Sequence, residues 1–65
     1  MDNLKIAKRL IELRGDKTRE KVCVDLEISY SALQSYEMGA RVPKDELKIK
    51  IANYYGVTVQ SIFYE

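Results

Sequence analysis

TREKVCVDLEISYSALQSYEMGARVP, residues 18–43, decides how this chain folds. Thr18 is a good helix N-cap, and Val22, Cys23 and Leu26 recur at helical spacing behind it, so a short helix is expected over Arg19–Leu26. Ser29 is a second N-cap and opens another helix through Met38, with Gly39 suited to the left-handed residue that closes it. In that second helix Leu33 and Tyr36 point one way, while Tyr30, Ser31, Gln34 and Ser35 are left toward solvent. Surface helices usually stay soluble through Lys and Glu. Here the outward positions are polar and uncharged and include the ring of Tyr30, which calls for a functional explanation.

Outward from this stretch, the remaining segments are also helical. Leu4, Ala7, Leu10 and Ile11 fall at helical spacing among Lys5, Lys8, Arg9 and Glu12, predicting an amphipathic first helix entered near Asp2 or Asn3 and ended by Gly15. Residues 47–51, LKIKI, alternate as a half-buried strand would. Their continuation through Leu47, Ile51, Ala52 and Tyr55 keeps a 3.6-residue period and stops at Gly56, which favours a helix. Thr58 caps a last turn, VQSIF, carrying Ile62 and Phe63. The expected fold is all-α, four to five short helices in a single domain over residues 1–65, with Arg41-Val42-Pro43 as a loop.

Composition narrows the function. With 46% hydrophobic and 32% charged residues the chain is globular rather than disordered. One cysteine, Cys23, and no histidine give neither an internal disulfide nor a metal-ligand set, and Cys23 reads as a small core residue. No nucleophile–base set and no phosphate-cradling Gly loop is present, so an enzyme is not expected, nor a cofactor or small-molecule ligand. Asp45-Glu46 reads as a helix-start pair. The amino terminus MDNLKIAKRL has no apolar run of signal-peptide length and no segment approaches a membrane span, so a soluble cytoplasmic protein is expected. Net charge is only +1, and its distribution says more: from Ser29 to Lys44 the one acid is Glu37, against Arg41 and Lys44.

Two short helices joined by a three- or four-residue turn form the minimal helix-turn-helix, here over about residues 19–38. Cys23 supplies the small residue where the helices cross. Glu27-Ile28-Ser29 is the reversal, and Ile28, Leu33 and Tyr36 anchor the second helix. Its amino-terminal residues are then free to meet base edges in a major groove.

At these residues the chain resembles the DNA-binding domain of phage Cro and repressor proteins, the xenobiotic-response-element family. The likeness spans residues 4–63 and rests on residues 18–43 followed by IANYYGVTVQSIF. The pattern elements are Arg19 opening helix two, Cys23 four later, Ser29, Leu33, Tyr36-Glu37, Gly39 and Pro43. Four features depart from it. Glu27 stands where Gly is usual after Leu26, Arg19 where Gln is common, and Lys48 where an aliphatic residue is common; the loop after the first helix is also shorter than usual.

The resemblance implies double-stranded DNA as partner, with base contacts from Tyr30, Ser31, Gln34 and Ser35. Gln can pair with adenine through two hydrogen bonds, whereas Ser contacts are permissive. Arg19, Ser29, Arg41 and Lys44 would meet phosphates. The family's architecture pairs an Arg near the end of helix one with the Glu of helix three, which carries over to a structural ion pair, Arg14–Glu37. The apolar carboxyl end, with Ile62, Phe63 and Tyr64, offers a dimer patch. The leading reading is a dimeric repressor of phage, mobile-element or bacterial origin on an inverted-repeat operator. The alternative is a protein-interaction module on the same fold, antitoxin-like or a regulatory adaptor, for which Tyr and Ser are also suited.

Overall fold

Five α-helices and no strand make up the computed structural model, which describes residues 2–65. They are α1 (Asn3–Arg14), α2 (Arg19–Leu26), α3 (Tyr30–Glu37), α4 (Asp45–Tyr55) and α5 (Val59–Phe63). Short polar side chains start four of them. Asp2 accepts from the backbone N–H groups of Leu4 and Lys5, Thr18 from Lys21, Ser29 from Ala32 and Thr58 from Ser61. Each satisfies helix N–H groups that have no partner within the helix.

The ends are equally specific. After α2, α3 and α4 the chain enters a left-handed residue and sends two N–H groups back to the last turn. Gly39 does so after α3, where its own N–H reaches Tyr36 and that of Ala40 reaches the Ser35 carbonyl at 3.0 Å. After α2 the left-handed residue is Glu27, at φ 58 and ψ 45. The Gly-to-Glu departure is therefore accommodated by strain, at about 1 kcal/mol. Lys50 offsets part of it by donating to the Leu26 carbonyl at 2.6 Å, a cation placed on the negative end of α2.

The core gathers Ile6 and Leu10 of α1, Val22, Cys23 and Leu26 of α2, and Leu33 and Tyr36 of α3. Ile51 and Ala52 of α4 and Ile62 and Phe63 of α5 complete it. Cys23 is a core residue as expected, with its thiol donating to the Ser29 carbonyl and burial pushing its pKa up.

Two expectations fail against this packing. Leu4 and Ile11, assigned above to the inner face of α1, are 71% and 43% exposed, and Ile6 is buried instead. The core contacts of α1 centre on Ile6, Ala7 and Leu10, so the helix is rotated from the phase its apolar spacing alone indicated. Second, Ile62 and Phe63 are each 1% exposed. They close the core from below α1 and α4 and are not available as a dimer patch; of that trio only Tyr64 is at the surface. Arg9 holds the turn in place through a 2.9 Å hydrogen bond to the Ile62 carbonyl.

Lys48 explains how α4 tolerates a cation at an aliphatic position. Its stem is buried, and its ammonium donates to the Tyr64 hydroxyl at 2.9 Å and faces the rings of Phe63 and Tyr64. The Tyr64 hydroxyl, more than any other neighbour, holds the Lys48 pKa above its usual value. The last residues thus fold over a largely buried ammonium, which the Tyr64 hydroxyl and the Asp45 carboxylate at 3.6 Å partner.

Candidate nucleic-acid interface

α2 and α3, joined by the turn Glu27–Ser29, form the candidate site. α3 is seated by Leu33, Tyr36 and Glu37, all buried, which turns its opposite face outward. Tyr30, Ser31 and Gln34 are exposed on that outward side, as their spacing predicts. Ser35 is half-buried, and its carbonyl is taken by the Ala40 and Arg41 N–H groups. It is therefore less free than the other three. Met38, 63% exposed, completes the outward row one turn beyond Gln34. Its place as the residue that ends α3 hides it in the sequence, although the 3.6-residue spacing from Ser31 reaches it.

Ser29 serves the helix first. Its Oγ accepts from the Ala32 N–H at 3.1 Å and lies 3.4 Å from the Ser31 hydroxyl. This leaves the first turn of α3 with further N–H groups directed outward, a position that favours an anion. Arg41 is exposed at the far end of α3, 5.7 Å from the Tyr36 ring centre. Lys44 is exposed at the start of α4 and makes no capping hydrogen bond. Arg41 and Lys44 thus lie beyond one end of an uncharged helix face, and Arg19 reaches α3 from α2, at Glu37.

Arg19 has a partner that the sequence did not indicate. Its Nε donates to Glu37 Oε1 at 2.8 Å, while Arg14 Nε donates to Glu37 Oε2, also at 2.8 Å. The pair expected between Arg14 and Glu37 is present and has a third member. Glu37 is only 3% exposed, so each carboxylate oxygen takes one guanidinium in a site that water hardly enters. Arg14 is fixed further by donating to the Lys17 carbonyl at 2.8 Å. Glu37 first, and the Tyr30 hydroxyl after it, raise the Arg19 pKa above its ordinary value.

Helix pair, turn and buried seat match a known pattern along nearly the whole chain. A family model described as helix-turn-helix covers residues 5–62. This chain belongs to the helix-turn-helix family, of the Cro/C1 type. No curated protein and no solved structure matches it. As a member of this helix-turn-helix family, the protein carries a DNA-binding type of domain. No helix among its described residues is long and apolar enough to cross a membrane. No cluster of three or more metal-ligating side chains occurs among them either.

Proposed function

We propose that the protein is a sequence-specific transcriptional regulator that binds double-stranded DNA as a homodimer, acting as a repressor of phage, mobile-element or bacterial origin. The observation that carries this reading is the outward face of α3. Tyr30, Ser31 and Gln34 are exposed there, and Arg19, Arg41 and Lys44 sit at its flanks. A helix that lies between phosphate walls gains from donors and acceptors at its centre and from cations at its edges. Gln34 is the residue for bidentate pairing with adenine, and Ser31 and Tyr30 add permissive contacts. With so few strong base readers, DNA shape supplies the rest of the specificity.

In the dimer, two α3 helices enter successive major grooves about 34 Å apart on an inverted repeat. Of Ile62, Phe63 and Tyr64, only Tyr64 is exposed enough to take part in the subunit contact. Repression follows from covering promoter DNA, and the cytoplasm is where that DNA lies.

The second reading, a protein-interaction module, draws support from Met38 and Tyr30, two exposed apolar side chains on the same helix. Binding to a random pool of duplex DNA, followed by sequencing of the retained fraction across a salt series, separates the two. The DNA reading predicts enrichment of an inverted repeat and affinity that falls steeply with salt. Retention of no sequence at any salt overturns it in favour of a protein partner.

A further inference from the structure

We propose that Glu37, the one acid beneath the candidate DNA face, is a positioning residue: it splits its carboxylate between Arg14 and Arg19 so that Arg19 is held ready for a phosphate. The inference rests on the DNA-binding reading above and assigns a mechanism to one part of it.

One arginine already supplies the counter-charge that Glu37 needs. Arg14 already donates to Oε2 of Glu37 and is anchored at its other end by Lys17. Adding Arg19 places two cations around one carboxylate, leaving a surplus positive charge. Arg19 is also the first residue of α2, where the helix dipole is positive and a cation is disfavoured. An external anion that shares the site would balance that surplus charge. Glu37 engages only the Nε–H of Arg19. A guanidinium has five N–H donors in a planar fork, so its terminal amino groups lie outside that bond. Holding Nε orients that plane, and the first turn of α2 contributes its own N–H groups beside it. Both arginines are half-buried over the buried Glu37, but the Arg19 side chain is the more exposed of the two, 26% against 17% for Arg14.

The proposal makes a prediction opposite in sign to simple electrostatics. Glu37→Gln removes a negative charge close to the DNA, which by charge alone strengthens binding. Loss of the fixed Arg19 weakens it, by about two- to tenfold for one immobilised side chain. The weakening is similar for operator and for unrelated duplex, because a phosphate contact carries no sequence information.

The experiment measures affinity for the selected operator and for a random duplex of equal length. It compares the wild-type chain with E37Q, R19K and R14K at a temperature where circular dichroism shows each variant folded. E37Q is expected to bind both duplexes more weakly and R14K to bind as wild type does. R19K keeps the charge but not the fork, so it is expected to weaken binding about as much as E37Q, with no further loss in the double variant. It also provides the test if E37Q does not fold. Unchanged or tighter binding by E37Q overturns the positioning role, as does R19K binding like wild type, and both leave the DNA reading standing. A wild-type chain that binds no duplex even at low salt overturns the DNA reading and this inference together.

Discussion

Replacing Glu37 by Gln should change sign with its background. In the wild-type chain the carboxylate accepts two charged hydrogen bonds, from Arg14 and Arg19, each at 2.8 Å. A hydrogen bond to a charged group contributes about 1.5–3 kcal/mol against about 0.5–1.5 for a neutral one. Gln keeps one acceptor oxygen and presents a donor where the other was, so E37Q is expected to cost about 2 kcal/mol. In a domain of this size that is a fall in Tm of roughly 8–16 °C.

In the background R14A/R19A the same substitution should stabilise. Either arginine alone still leaves Glu37 a cation, but removing both strands a carboxylate in a site that is 3% exposed. Breaking a buried pair in this way costs about 3–5 kcal/mol. A neutral Gln removes the stranded charge and should return about 1–2 kcal/mol of that loss. Total stability for a chain this short is only about 3–10 kcal/mol, so the double variant is best followed by urea unfolding in the cold with a stabilising osmolyte. A cost for E37Q that is equal in both backgrounds would refute the account, because it would mean that the arginines and the carboxylate do not act as a unit.

Glu27→Gly should raise stability by about 0.5–1 kcal/mol in a urea melt, since Gly relieves a left-handed residue at φ 58; a loss would show that the Glu27 side chain contributes more than its strain. Gly39→Ala should be more damaging than Gly56→Ala. Both sites are left-handed, but a methyl at 39 comes within 3.0 Å of Leu4 Cδ2 and 3.3 Å of the Asn3 carbonyl oxygen, while one at 56 meets nothing within 4 Å; equal melting points would contradict this. Tyr55→Phe should be stabilising by about 1 kcal/mol at neutral pH, because the Tyr55 hydroxyl is buried with no hydrogen-bond partner among the described residues. Burial raises its pKa to about 12, so wild-type stability falls as pH rises from the unfolded value near 10 toward 12, and the gap between the two proteins should widen over that window; a constant gap in alkaline melts would refute it. Asp25 has its pKa lowered by hydrogen bonds from Tyr54 first and Lys21 second, so its stabilisation is present above about pH 4 and is lost as pH falls through the folded value. Asp25→Asn should therefore melt lower at pH 7 and converge on wild type in acid; parallel curves would show that the pairing contributes nothing.

What could be read in advance were the features set by a residue and its near neighbours. Thr18, Ser29 and Thr58 cap helices because a short oxygen there reaches an N–H three residues on. Gly39 and Gly56 end helices because each takes a positive φ. The rotation of α1 was not available in this way. With Leu4, Ile6, Ala7, Leu10, Ile11 and Leu13 spread round the helix, the apolar arc is too wide to fix its own centre. Packing against the other helices fixes it. Phe63 was misread for a related reason: an apolar tail looks like a patch until Arg9 and Lys48, far back in the chain, are seen to hold its neighbours down.

Glu37 shows where local reading stops and geometry takes over. Its position near the end of α3 marks it as a partner for Arg14, but nothing in the spacing joins it to Arg19, eighteen residues away. That second bond fits with the uncharged face of α3 on the DNA-binding reading proposed above. An acid on the outward side of this helix would repel phosphate, and a cation there would compete with the hydrogen bonds that read bases. The acid is turned inward under the helix, and the cation it holds is carried on α2 at the rim. Charge thus lies one helix sideways from the outward face of α3, the face proposed above to read bases, so that a polar, uncharged face and a charged seat beneath it are two parts of one arrangement.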